Sequence, residues 1–238
     1  MPGRLNRISL GGRAVEFRFA RRPRRTLGIT VDAEGLAVFA PLRASWRDIE
    51  SFLRHKERWI LAKLQDWSRV PPPAVLRGTS GESLPLFGMP MLLEVRVGEG
   101  RAVKRHDERL VVCAPEARRI LDTLLAWLKS KALEALVPRA QHFAARLGLP
   151  APGVRLSSGR SRWGVCMQGG AIRLNWWLVH LDPALADYVV AHEAAHLVEM
   201  NHSKRFWNVV STLYPEWRQA RKQLEIEGAA LPVIRGDR

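Results

Sequence analysis

The chain has 238 residues, 47% of them hydrophobic, with a formal net charge of +15; that is enough apolar material for one large core or two small ones. No stretch approaches the roughly 18 apolar residues of a membrane span. The first residues, "MPGRLNRISLGGRAV", lack the apolar segment of a signal peptide, and two cysteines, Cys113 and Cys166, make no disulfide framework, so a cytoplasmic protein without a membrane partner is expected.

The charge attracts nucleic acid and other anions nonspecifically. No RNA-recognition signature, zinc-finger spacing or helix-turn-helix pattern accompanies it. The basic residues are mostly arginine and spread along the chain, with one cluster, "RRPRR", at Arg21–Arg25.

In chain order, "AVEFRFA" (Ala14–Ala20) and "LGITV" (Leu27–Val31) alternate apolar and polar residues and predict strands. "DAEG" (Asp32–Gly35) is a turn signal ahead of a further strand, "LAVFAP" (Leu36–Pro41), so a hairpin is expected. Ser45 caps one helix, on which Ile49, Phe52, Leu53, Trp59, Ile60 and Leu64 recur at helical spacing. "VPPPAV" (Val70–Val75) stops it and is a stiff linker candidate. Strands return in "LPLFG", "MLLEVRVG" and "RLVVCAP", followed by a helix from Glu116 to about Leu147 that Pro138 is expected to kink or divide. No internal repeat or low-complexity tract is apparent. The expected division is a β-rich N-terminal region with one helix, residues 1–115, and a C-terminal domain, residues 116–238.

The last third carries the chemistry. "VRLSSGRSRWGVCMQGGAIRLNWWLVHL" reads as two strands joined by a glycine-containing turn, the second running Ala171–Val179. Asp182 and Pro183 then open a helix as N-cap and first residue, expected to run to a turn at Asn201, with Ser203 capping the next. On it lies H-E-x-x-H: His192 and His196, four apart, project from one face and suit a tetrahedral metal such as Zn2+. Glu193 is the candidate catalytic residue, because in H-E-x-x-H sites the glutamate moves the proton of the attacking water and does not bind metal.

The third ligand is open from spacing alone. His202 lies six residues after His196, as in the metzincin pattern, but Glu199 stands where that pattern has glycine; Glu199, Glu216 and Glu225 are rivals. Asn175 and Arg173 are candidate substrate-binding residues on the strand ahead of the helix, and Asn201 and Ser203 are candidate supports for His202. His55, His106, His142 and His180 read as ordinary surface histidines.

The segment "RWGVCMQGGAIRLNWWLVHLDPALADYVVAHEAAHLVEMNHSKRFW" resembles the YgjP-like family of zinc metallopeptidases, related to the SprT-like and WLM groups. Its N-terminal motifs "RRPRRTLGITVDAEGLAVFAP" and "FLRHKERWI" fit the same family. The resemblance implies an α+β fold with a zincin-like core, an active-site helix against a small mixed sheet, and zinc on His192, His196 and His202 with Glu193 as base. It implies a peptide or protein substrate. Val165, Trp177 and Ala194 depart from the family pattern, and none is a proposed ligand. Two other functions stay open on the residues: a metal-dependent phosphohydrolase acting on nucleotides or another anion, and a DNA-associated protease of SprT-like type.

Overall fold

The computed structural model describes residues 4–32, 35–68, 74–159 and 162–234. The chain divides into two compact units, Met1–Pro72 and Pro73–Arg238. The division falls within the proline run, where residues 69–73 lie outside the described set, and not between residues 115 and 116. The second group of strands shares its core with the helices that follow it, which is why it belongs to the second unit.

In the first unit, β1 (Arg4–Leu10), β2 (Arg13–Arg22), β3 (Gly28–Asp32) and β4 (Gly35–Pro41) form a sheet of order β1-β2-β4-β3. The expected hairpin is β3–β4, although its turn residues 33–34 lie outside the described set. The central pair β2–β4 is parallel. The helical periodicity after Ser45 belongs to two helices, α1 (Trp46–His55) and α2 (Glu57–Ser68). Lys56 separates them, its N–H shared between the Phe52 and Leu53 carbonyls. Ser45 and Asp48 form a reciprocal capping box. Ile49, Leu53 and Ile60 bury against Leu36, Val38 and Ala40 of β4.

The second unit opens with β5 (Val75–Leu76), then β6 (Ser83–Leu86), β7 (Met89–Val97), β8 (Ala102–His106) and β9 (Arg109–Ala114), which make a sheet of order β6-β7-β9-β8. Its pairing senses repeat those of the first unit: two antiparallel outer pairs around a parallel central one. The repeat that the sequence hides is therefore present in the fold. "LAVFAP" of β4 and "LVVCAP" at the end of β9 hold the same place, with Leu36, Val38 and Ala40 buried in one core and Leu110, Val112 and Ala114 in the other.

After a short 3₁₀ turn at Ala117–Arg119, α3 (Ile120–Arg146) runs unbroken through Pro138. Losing one N–H removes a single ladder bond, and the helix is pinned by Leu128, Ala132, Leu136 and Ala140, all buried. Three strands follow where two are expected from sequence: β10 (Val154–Ser157), β11 (Gly164–Cys166) and β12 (Ile172–Asn175), in the order β10-β12-β11. The second expected strand stops at Asn175. Its side chain accepts the Trp177 N–H and starts a 3₁₀ helix, Trp176–His180, in which every residue is buried. The alternation read through Val179 therefore does not correspond to two faces.

The remaining elements are α4 (Pro183–Ala195), α5 (Lys204–Leu213), α6 (Trp217–Ala230) and β13 (Val233–Ile234), which pairs parallel with β5. The result is an α+β fold: α4 packs against α3, α5, α6 and the small mixed sheet β10-β12-β11. No described helix is long and apolar enough to cross a membrane.

Candidate metal centre

Helix α4 begins as its sequence requires, with the Asp182 side chain accepting the Ala184 N–H and Pro183 in the first turn. It ends earlier than expected. His196 is its C-cap, and the chain tightens through Leu197 N–H to Ala194 and Val198 N–H to Ala195, well before Asn201. The early stop lets residues 197–203 fold back. The Asn201 side-chain oxygen accepts the Ser203 N–H, and the Ser203 hydroxyl accepts the Phe206 N–H to open α5.

This reversal returns His202 to α4. One nitrogen from each of His192, His196 and His202 lies within 4.8 Å of the others. The Nε2 atoms of His192 and His202 stand 3.2 Å apart; two nitrogen ligands of a tetrahedral metal with ~2.0–2.1 Å bonds stand ~3.3 Å apart. His196 Nδ1 is 3.0 Å from the Glu199 carbonyl, which makes Nδ1 the donor and leaves Nε2 a lone pair. Burial, then the neighbouring His196, His202 and Arg221, pushes His192 down to about 3, and burial also lowers His196. Both are thus neutral imidazoles, the form that binds a metal. The donor set fits a metal ion. Glu199 meets the site through its backbone carbonyl, Glu216 is the N-cap of α6 and Glu225 lines the neighbouring cleft; none belongs to the three-nitrogen group.

The base of the site is aromatic. Phe206 is buried and lies 4.9, 4.4 and 4.7 Å from the ring centroids of His192, His196 and His202. Trp207 stacks on His202 at 5.8 Å and on Trp217 at 4.2 Å.

Glu193 faces β11. A Cβ placed on Gly164 would lie 2.5 Å from Glu193 Cγ, so the strand approaches the helix this closely only because residue 164 has no side chain. The Cys166 N–H donates to the Glu193 carboxylate, yet burial dominates and pushes Glu193 up to about 7. Burial and the Glu193 charge also push the Cys166 thiol up, so it is not an activated nucleophile.

The strand expected to form the cleft rim, β12, is the central strand, its two edges filled by β10 and β11. The rim is β11. Trp163 C=O and Met167 N–H bond inward to β12 and its turn, which leaves the Gly164 and Cys166 backbone groups on the outer edge. Asn175 is buried, with its amide nitrogen on the Gly159 and Arg162 carbonyls and its oxygen on the Trp177 N–H. It fastens the loop leading into β11, with both amide hydrogens engaged and the side chain buried away from solvent. Arg173 is exposed beside Met167, on the face of the sheet opposite the buried Ile172 and Leu174.

Trp163 packs against the backbone of Gly228 on α6; a methyl group there would overlap the indole. Between that wall and α4 lies a cleft of about 440 Å³, lined by Arg162, Trp163, Tyr188, Glu193, Arg221 and Leu224 among others. Sequence reading gave no role to Gly164, Tyr188, Phe206 or Arg221; a glycine inside a strand was the one usable signal. His180, read as a surface residue, is buried, its Nδ1 2.6 Å from the Pro85 carbonyl.

The model of the YgjP-like metallopeptidase domain matches residues 25–227. No curated protein matches the chain. Among solved structures, the metallopeptidase zymogen of Pyrococcus abyssi abylysin is similar at 24% identity, over 40% of this chain and 97% of its own, with a TM-score of 0.37.

Proposed function

This chain belongs to the YgjP-like metallopeptidase family, and we propose that it hydrolyses peptide bonds using zinc held by His192, His196 and His202, with Glu193 as general base. One observation carries this reading: three imidazoles converge within 4.8 Å on the helix whose adjacent glutamate faces an open cleft. Three ligands leave a fourth position for water, the arrangement of a catalytic and not a structural zinc site. A zinc ion bound there supplies a Lewis acid that lowers the pKa of water and polarises a carbonyl.

The protein's own groups do the rest. Glu193, with its proton affinity raised by burial to about 7, takes a proton from the attacking water and returns it to the leaving amine. The Cys166 N–H fixes the carboxylate's orientation. An extended substrate pairs with the outer edge of β11, whose Gly164 backbone groups are presented next to Glu193. The phosphohydrolase and DNA-associated readings have in their favour the net charge of +15 and the two arginines, Arg162 and Arg221, that line the cleft.

The test is metal content and peptide hydrolysis measured together on wild type, His202→Ala and Glu193→Gln. Zinc is expected near one equivalent in wild type and Glu193→Gln and well below that in His202→Ala, with turnover lost in both variants. His202→Ala retaining zinc and activity would refute the ligand set. Hydrolysis by Glu193→Gln at the wild-type rate would refute the base.

A further inference from the structure

The cleft beside Glu193 has a charge that the hydrolytic chemistry does not use. Arg162, on the loop entering β11, and Arg221, on α6, both line it. The two arginines come from separate elements, are exposed, and have no carboxylate partner among the described residues. The Arg221 guanidinium carbon lies 5.8 Å from the ring centroid of Trp207, which itself stacks on His202. That contact puts a positive charge on the metal-site side of the cleft. Glu225, one turn further along α6, is the acidic group on that helix that also lines the cleft, and it is engaged with another residue. The walls between these charges are Trp163, Val189 and Leu224, which suit the aliphatic part of a side chain.

We propose that this cleft is a specificity subsite for a carboxylate-bearing residue of the substrate, held by Arg221 with Arg162 opposite it. The inference rests on the peptidase reading and names its substrate class. Guanidinium groups bind carboxylates through paired N–H donors, and the net charge of +15 draws acidic chains toward the protein. A lysine or arginine in the same place would meet two like charges. The carboxylate has two sources, an Asp or Glu side chain inside the chain or the free C-terminus, and the probes separate them.

The experiment uses two peptide sets on the zinc-loaded protein. In the first, both ends are blocked and one position near the cleaved bond is Glu, Gln or Lys. In the second, identical neutral peptides end in a carboxylate or an amide. The carboxylate member of at least one set is expected to be preferred about tenfold in kcat/KM, mainly through KM. The preference is expected to collapse in Arg221→Ala and to turn toward Lys in Arg221→Glu. Preference confined to the second set assigns the C-terminus as the source.

Binding of the same peptides, fluorescently labelled, to zinc-loaded Glu193→Gln is measured by anisotropy. It reads the subsite even if no peptide is cleaved, so failure of the peptidase reading is told apart from failure of this one. Equal affinity for Glu, Gln and Lys peptides and for both C-terminal forms overturns the proposal. So does a preference that survives the Arg162→Ala/Arg221→Ala double variant.

Discussion

Replacing Gly164 with alanine adds one methyl group and places it 2.5 Å from Glu193 Cγ and 2.7 Å from both Cδ and Oε1. Ordinary contacts between such atoms are about 3.5 Å or more, so one partner must give way by about 1 Å. The strand is held by its ladder to β12, whereas Glu193 can rotate; the carboxylate is therefore displaced and its bond from the Cys166 N–H is lost. Misplacing a catalytic group by 1 Å costs on the order of 100-fold, and a general base contributes at most about 10⁴-fold. Turnover by Gly164→Ala is thus expected to fall by between about 10² and 10⁴. Zinc content should stay near that of wild type, because the overlap is with Glu193 and not with an imidazole. The assay is peptide turnover on protein of known zinc content, with urea unfolding to establish that the variant is folded. If the methyl acts through Glu193, the Gly164→Ala/Glu193→Gln double variant is no slower than Glu193→Gln alone. Full activity in Gly164→Ala would refute the placement of the carboxylate, and additive losses would refute the route.

Three more outcomes follow from particular contacts. Burial holds His180 at about 4, against 6.5 when exposed, so its neutral form contributes about 3 kcal/mol; that stability is present above pH 6.5 and lost as pH falls toward 4, and the urea midpoint of wild type should drop across this range more steeply than that of His180→Gln. Asn175→Ala leaves the Gly159 and Arg162 carbonyls and the Trp177 N–H without their partner, a loss of about 2–3 kcal/mol by urea unfolding, accompanied by lower turnover because the loop into β11 is released. Removing zinc with a chelator should raise amide exchange along α4 and α5 and leave residues 4–68 unchanged, since the latter have their own core; at free zinc 1,000-fold above its Kd the stabilisation withdrawn is about 4 kcal/mol.

The parts of the site that the sequence reveals are those set by local periodicity. His192 and His196 share a face because four residues make about one turn, and Asp182, Pro183 and Ser203 announce helix starts whatever surrounds them. Where α4 stops is decided by the packing of its last turn, with His196 against Phe206 and its Nδ1 on the Glu199 carbonyl; a run of apolar residues continuing through Leu197 and Val198 gives no hint of it. Asn175 shows the opposite error. A polar residue in an apolar strand looks available for substrate, yet its partners are the carbonyls of Gly159 and Arg162, up to 16 residues away. The nearness of Gly164 to Glu193 spans a still longer stretch of chain and depends on β11 being an edge strand, which no spacing encodes.

The hidden repeat has the same physical origin. Two sheets of one order and one set of pairing senses require only that alternate positions of the central strand be small or branched apolar residues, and β4 and β9 meet that with Leu, Val and Ala at matching places. Everything else in the two modules is free to diverge, and the helices that follow do: α1 and α2 break at Lys56, whereas α3 runs 27 residues and packs against β9, β10 and α4. That length has a consequence for function. α3 supports α4 and the sheet carrying β11 at the same time, so the helix bearing His192 and the strand that faces Glu193 are braced by one element. Substitutions in the buried stripe of α3, such as Leu128 or Leu136, should then lower turnover out of proportion to zinc affinity, because the three imidazoles sit on one continuous α4–α5 segment while the distance from Glu193 to β11 depends on the brace. An equal loss of zinc and turnover in Leu136→Ala, with the fold retained, would show that the two are not separately supported.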